Sequence, residues 1–205
     1  MNLPNKITIL RILFVPVFMF FVVPIPDWML TNNLLMFIHP QLVSIDYFIA
    51  HYGNYIAAIL FIIASSTDGV DGYIARKRDL VTSFGKFLDP IADKLLTTAA
   101  LIALVQSGDL SGWAAMIIIG RDLIVTGLRL VAAGEGIVIA ASMVGKIKTI
   151  FQMVAISMIL LKNWPLSLVT NFPFDFYAML AAVIITLYSG FDYVRKNIKL
   201  IKPDL

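Results

Sequence analysis

Apolar residues are concentrated in six segments, which polar connections separate. The segments are residues 7–23, 54–65, 91–105, 113–133, 143–161 and 174–191. Because a helix needs about 20 residues to cross a bilayer, the second and third segments are too short by themselves. We therefore expect helices two and three to extend into the polar sequence between them. The pattern predicts six transmembrane helices with both termini on the same side.

Composition supports a membrane protein. The 205 residues are 60% hydrophobic, with a mean hydropathy of +0.88, which exceeds what a small soluble core can bury. The N-terminal segment has no small-residue cleavage site, so we interpret it as a retained first helix and not as a signal peptide. The fold class predicted is all-α integral membrane, with residues 1–205 forming a single domain.

The basic residues are clustered along the chain, and Lys162 alone stands apart. Connections 24–54, 106–112 and 163–173 contain no Lys or Arg, so the positive-inside rule predicts that they face outward. Both termini and the clusters then lie on the cytoplasmic side of the cell membrane. Membrane lipids are expected partners, and nucleic acid is not. The outward connection 24–54, which contains His39 and His51, is assigned no chemistry.

Four aspartates interrupt the apolar sequence between segments two and three. Asp68 and Asp71 are three residues apart, and Asp89 and Asp93 are four apart. On helices, each pair projects from a single face. Crowded carboxylates in an apolar environment repel one another unless a cation binds them. Because the chain lacks cysteine and its histidines are distant in sequence, oxygen ligands and a divalent metal are predicted.

The aspartates belong to a longer motif that resembles the signature of the CDP-alcohol phosphotransferase family, D-x2-D-G-x2-A-R-x8-G-x3-D-x3-D. Every fixed position is filled, by Asp68, Asp71, Gly72, Ala75, Arg76, Gly85, Asp89 and Asp93. The similarity extends to the opening NLPNKITILRI and to the stretch GRDLIVTGLRLVAAGEGIVIAASMVGKIKT. Within the family, the chain looks most like the bacterial members that use glycerol 3-phosphate.

The resemblance implies roles for the motif residues. Asp68, Asp71 and Asp89 would bind two divalent cations, Mg²⁺ or Mn²⁺, which hold the diphosphate of CDP-diacylglycerol. Asp93 would deprotonate the acceptor alcohol, and the sequence leaves open whether it also binds metal. Gly72, Ala75 and Gly85 lack bulk and would let CDP approach the backbone closely, although helix packing favours the same residue types. Arg76 would also bind CDP. The resemblance also implies a homodimer.

Basic residues in segments four and five predict an acidic second substrate. Arg121 and Arg129 are eight apart on one helix, and Arg121 lies well inside the span. Its neighbour Asp122 is expected to point elsewhere on the helix. Lys146 and Lys148 could converge with the arginines on a phosphate. A phosphorylated alcohol, sn-glycerol 3-phosphate by the resemblance, fits this better than serine or choline.

Polar residues also recur at the start of the first helix. Asn5, Thr8 and Arg11 are spaced three apart, and we expect Asn5 and Thr8 to bind CDP and Arg11 to bind glycerol phosphate. A helix cap followed by a membrane anchor would give a similar pattern.

The predicted reaction is phosphatidyl transfer from CDP-diacylglycerol to glycerol 3-phosphate, a step of phospholipid biosynthesis that releases CMP. Because the signature concerns the CDP half, a relative that uses inositol phosphate or serine is an alternative. A divalent-cation transporter is a second alternative, from a different class. Against transport, the polar residues cluster at one side, and no acidic or broken-helix partner appears in the outer halves.

Overall fold

The described part of the chain is helical. The computed structural model describes residues 3–31, 39–77, 83–134 and 142–197, and these ranges contain no strand. A π-helical turn, Ile49–Gly53, joins α3 to α4, and a 3-10 turn, Leu166–Leu168, precedes α8. The helices are α1 (Leu3–Val22), α2 (Asp27–Thr31), α3 (His39–Phe48), α4 (Asn54–Lys77), α5 (Ser83–Gln106), α6 (Gly112–Gly134), α7 (Met143–Leu160) and α8 (Phe174–Lys196). The all-α prediction is confirmed.

The helices form two compact units, Met1–Asp109 and Leu110–Leu205. In the first unit, α1 packs along both α4 and α5, and the rings of Phe18 and Phe61 lie 6.2 Å apart in this contact. In the second unit, α8 packs against both α6 and α7. Each unit is therefore organised around one helix that contacts two others.

Three helical stretches in the described residues are long and apolar enough to cross a membrane: His39–Thr67, Met143–Leu160 and Phe174–Lys196. They indicate a membrane protein, whereas the six spans expected from the sequence stay a prediction. Helix α6 has 23 residues but includes the charged residues Arg121, Asp122 and Arg129. With these three charged residues, α6 is not among the stretches that are apolar enough by composition.

Polar and apolar side chains are distributed as expected for a protein surrounded by lipid. Large apolar side chains are exposed along the long helices, among them Leu13, Ile63, Ile102, Leu123 and Ile184. Several polar and charged side chains are buried among apolar residues, namely Thr8, Arg11, Thr97, Asp122, Lys148, Gln152, Thr186 and Ser189. Apolar surface of this extent is unfavourable in water, and the hydrocarbon of a bilayer can remove it from water. Helices also satisfy the backbone hydrogen bonds that lipid cannot.

The helix that contains the second apolar segment begins earlier than the sequence predicts. Residues 39–53 were assigned to an outward connection, but they form α3 and the π turn and continue into α4. Pro40 is compatible with this start because the first helical turn needs no N–H from it. Gly53 is required by packing, since a Cβ there would collide with the carbonyl oxygen of Phe21. Close contact with α1 therefore stabilises a helix that the sequence pattern alone does not reveal.

Candidate active site

The aspartate motif lies on two helices of the first unit. Asp68 and Asp71 belong to α4, and Asp89 and Asp93 belong to α5. The predicted extension of both helices into the motif is therefore confirmed for the backbone. The side chains of residues 68–90 and of Asp93 lie outside the described part, as does that of Asn5. The roles of the aspartates, and of Gly72, Ala75, Arg76 and Gly85, accordingly stay predictions.

The donor set on these helices suits a divalent cation. Helices α4 and α5 contact each other, and both pack against α1. Together they carry four carboxylates, which supply the oxygen ligands that Mg²⁺ and Mn²⁺ prefer. Among the side chains that the structure does describe, no three acidic or histidine groups lie close enough to hold a metal. The motif aspartates are thus the candidates for metal binding.

Helix α1 brings two further predicted site residues into the interior of the protein. Thr8 is fully buried, and Arg11 is 2% exposed. An arginine that only anchored the helix at the headgroups would have its guanidinium in contact with water. Ionisable groups buried in membrane proteins are usually functional. Burial therefore disfavours the anchor interpretation of Arg11, while its ligand stays a prediction.

A network of charged groups joins the three long helices of the second unit. Lys148 on α7, which is 1% exposed, donates to Asp122 Oδ1 on α6 over 2.7 Å. The Nη1 group of Arg121 lies 3.2 Å from the same carboxylate oxygen. The Nη2 group of Arg121 donates to the hydroxyl of Ser189 on α8 over 2.5 Å. Asp122 therefore forms ion pairs with the buried Lys148 and with the partly buried Arg121.

The position of Asp122 contradicts the sequence-based expectation. Asp122 was expected to point away from Arg121, but the arginine side chain is long enough to reach the carboxylate of its neighbour. The sequence reasoning therefore missed Asp122 as a site residue. The sequence did indicate a paired role for Asp122. An acidic residue inside an apolar helix requires a cationic partner, and Lys148 on the next helix was a candidate.

Small residues make room for the side chain of Arg121. A Cβ added to Gly190 on α8 would lie 3.1 Å from Arg121 Cγ. A Cβ on Gly145 would lie 3.8 Å from Arg121 Nη2 and 3.3 Å from the hydroxyl of Ser142. That hydroxyl caps α7 by accepting a hydrogen bond from the Gly145 N–H over 3.1 Å. The start of α7 and the end of α8 therefore fit closely around one guanidinium.

The remaining predicted basic residues occupy different surroundings. Arg129 lies with its Cζ atom 5.6 Å from the ring centroid of Tyr193 on α8, and Lys146 is exposed near the start of α7. Of the four basic residues expected to converge on a phosphate, the structure places Arg121 and Lys148 on one carboxylate. Within the described ranges, neither Arg129 nor Lys146 forms an ion pair with that carboxylate.

Comparison with known proteins identifies the class of protein. The model of the CDP-alcohol phosphatidyltransferase family matches residues 1–188, which include parts of both units. The chain belongs to this family. Its members generally depend on divalent cations, in agreement with the carboxylates on α4 and α5.

Individual relatives are similar over nearly the whole chain. A protein of Bacillus subtilis named CDP-diacylglycerol--glycerol-3-phosphate 3-phosphatidyltransferase is 50% identical, over 98% of this chain and 97% of its own length. A protein of Rickettsia bellii with the same name is 34% identical, over 95% and 94%. A probable phosphatidylglycerophosphate synthase of Mycobacterium tuberculosis is 36% identical, over 97% and 82%.

Asp122→Ala tests whether the network stabilises the second unit. We expect the free energy of unfolding to fall by about 3–5 kcal/mol, because the buried Lys148 would lose its ion pair with Asp122. Thermal unfolding of the purified protein in detergent measures the loss. Asp192→Ala is the matched control, since its ion pair with Lys196 has a similar length of 2.8 Å but Lys196 is 65% exposed. There we expect about 1 kcal/mol or less. Equal losses in the two variants would contradict the account.

Proposed function

We propose that this chain transfers the phosphatidyl group of CDP-diacylglycerol to sn-glycerol 3-phosphate and releases CMP. The observation that carries the proposal is the 50% identity, over nearly both full lengths, to a protein named for this reaction. The complete eight-residue signature on α4 and α5 supports the same chemistry. The product is phosphatidylglycerol phosphate, an intermediate of phospholipid biosynthesis.

The reaction is a displacement at the phosphorus that carries diacylglycerol. Asp93 takes the proton from the primary hydroxyl of the acceptor, and the acceptor oxygen forms a bond to that phosphorus. The bond between phosphorus and the bridging oxygen breaks, and its electron pair leaves with CMP. When Asp93 and the phosphates of both substrates are held in place, the two substrates react within one complex. The entropic cost of bringing them together is then met by binding.

The remaining motif residues bind the CDP-linked substrate. Asp68, Asp71 and Asp89, with a further contact from Asp93, would hold two divalent cations, Mg²⁺ or Mn²⁺. When bound, such cations neutralise the diphosphate and polarise the phosphorus. The residues proposed to bind CDP share small size or polarity; they are Asn5, Thr8, Gly72, Ala75, Arg76 and Gly85. The burial of Thr8 on α1, which packs against α4 and α5, supports its inclusion.

The basic residues bind the phosphate of the acceptor in this proposal. They are Arg11, Arg121, Arg129, Lys146 and Lys148. Arg121 and Lys148 both contact Asp122, so two of these cations lie close enough together to attract the same anion. Asp122 acts as a positioning residue, because it orients Arg121 and Lys148 and makes their burial tolerable.

The proposed arrangement in the cell follows from the charge pattern. Six helices span the cytoplasmic membrane, with both termini and the active site on the cytoplasmic side. The water-soluble acceptor arrives from the cytoplasm, and the lipid enters from the bilayer. Residues 1–205 form one functional domain, which is supported by a family match that includes parts of both units. We further propose that the active protein is a homodimer.

CMP release tests the substrate assignment. Purified protein in detergent, supplied with CDP-diacylglycerol and Mg²⁺, is expected to release CMP when glycerol 3-phosphate is present and to stop when EDTA removes the cation. Parallel reactions contain inositol 1-phosphate, serine or no acceptor. Faster release with one of these acceptors would retain the CDP site but reject glycerol 3-phosphate. Metal flux into liposomes without any CMP release would favour the transporter.

Aspartate variants test the assignment of the chemistry to α4 and α5. Asp93→Asn removes the proton acceptor, and Asp71→Ala removes a metal ligand. We expect each to lower the rate of CMP release by at least about 10²-fold, the lower range for loss of a catalytic base. Asp109→Asn is the control, because this exposed aspartate lies in the connection between α5 and α6. Normal turnover in either motif variant would refute the assignment.

A further inference from the structure

The two arginines of α6 each approach a hydroxyl-bearing residue of α8. Arg121 donates to Ser189, and Arg129 lies over the ring of Tyr193. Ser189 and Tyr193 are four residues apart, so they occupy the same face of α8, one turn from each other. The interface between α6 and α8 therefore contains two successive positions at which an arginine contacts α8, through the hydroxyl of Ser189 at the first and through the ring of Tyr193 at the second.

The two positions differ in how their polar atoms are satisfied. At the first, both terminal guanidinium nitrogens of Arg121 have oxygen partners, in Asp122 and Ser189, and only its Nε is buried without a partner among the described residues. At the second, Arg129 Nε and the Tyr193 hydroxyl are buried, and neither has a hydrogen-bond partner among the residues that the structure describes. Tyr193 is only 3% exposed. Buried donors without acceptors are costly, so the second position is suited to an external group that supplies acceptor oxygens.

The charge and arrangement of the second position define that group. The guanidinium of Arg129 lies 5.6 Å from the ring centroid, which is within the range of a cation–π contact that positions both side chains. Arg129 brings a positive charge, and Tyr193 adds a neutral hydroxyl donor. An anion with several oxygens arranged around one atom can accept from both. Phosphate has this chemistry, and guanidinium groups bind it through charge-assisted hydrogen bonds.

The location of the position suits a soluble phosphomonoester. Tyr193 is in the last turn of α8, next to Arg195 and Lys196, and Arg129 is eight residues beyond Arg121 on α6. The positive-inside rule assigns such basic helix ends to the cytoplasmic side. A water-soluble acceptor therefore reaches this end of the two helices first.

We propose that Tyr193 pairs with Arg129 to bind the phosphate of the acceptor, and that the Tyr193 hydroxyl makes the enzyme selective for phosphorylated acceptors. This inference rests on the proposed function. Selectivity follows because an acceptor without phosphate leaves the buried hydroxyl unsatisfied, and sites built around a hydrogen bond discriminate strongly against ligands that lack it. Tyr193 contacts substrate in this role and takes no part in proton transfer.

Tyr193→Phe in the full chain tests the proposal, because it removes the hydroxyl and keeps the ring beneath Arg129. In CMP-release assays we expect the KM for glycerol 3-phosphate to rise at least about tenfold, the effect of losing one hydrogen bond to a charged group. The KM for CDP-diacylglycerol should not change. The preference for glycerol 3-phosphate over free glycerol, measured as a ratio of kcat/KM, should fall. Tyr188→Phe is the control, since this tyrosine on the same helix is 62% exposed, and neither value should change.

A binding measurement separates this proposal from the proposed function. Inorganic phosphate, added without CDP-diacylglycerol, is expected to raise the thermal unfolding temperature of the wild-type protein and to do so less for Tyr193→Phe. If Tyr193→Phe does not fold, Arg129→Gln replaces it in both measurements, with the same expectation. Equal stabilisation by phosphate in wild type and variant, together with an unchanged KM, would overturn the proposal.

The outcomes distinguish the two claims. If the wild-type protein uses glycerol 3-phosphate and its KM does not depend on Tyr193, the pairing is wrong and the proposed function stands. If glycerol 3-phosphate is not used but stabilisation by phosphate requires Tyr193, the pairing is supported and the acceptor is a different phosphomonoester. An absence of phosphate stabilisation in the wild-type protein would count against the pairing directly.

Discussion

A charge inside an apolar helical assembly requires a compensating partner, and this requirement organises the second unit. Lys148 on α7 is buried and is held at 2.7 Å from Asp122 on α6. The same carboxylate orients Arg121, which in turn reaches α8 through Ser189. Helix α8 packs against both α6 and α7, so the ion pairs and the helix packing maintain the same three-helix arrangement.

The ion pairs around Asp122 are not explained by stability alone. A buried ion pair contributes little net stability, since desolvation offsets much of the attraction, although removing one partner is costly. Apolar residues of similar size would hold three helices together at least as well. The proposed role of Arg121 and Lys148 in binding the phosphate of the acceptor would account for charged residues at these positions. In the first unit, Thr8 and Arg11 are likewise buried, on the helix that packs against the aspartate-bearing helices.

Much of this structure follows from simple patterns in the sequence. Apolar segments 143–161 and 174–191 correspond closely to α7 and α8, and the length required to cross a bilayer predicted that α4 and α5 would include the aspartate motif. The helix at residues 39–53 was missed because its sequence is mixed in polarity and its contact with α1 depends on tertiary packing at Gly53. Asp122 was missed because helix-face geometry describes where a side chain starts and not how far an arginine reaches. Tyr193 resembles any aromatic residue near a membrane interface in sequence, and only the structure shows that its hydroxyl is buried and that its ring lies next to the guanidinium of Arg129.

The central claim is that the primary hydroxyl of glycerol 3-phosphate supplies the oxygen of the new bond to phosphorus when CDP-diacylglycerol gives up CMP. Glycerol 3-phosphate labelled with ¹⁸O at its primary hydroxyl, incubated with the full chain, CDP-diacylglycerol and Mg²⁺, tests it by mass spectrometry of both products. The account predicts that the label appears in phosphatidylglycerol phosphate and that CMP is unlabelled, because the acceptor oxygen forms the new bond to phosphorus. Label in CMP, or CMP release without a labelled lipid, would contradict it.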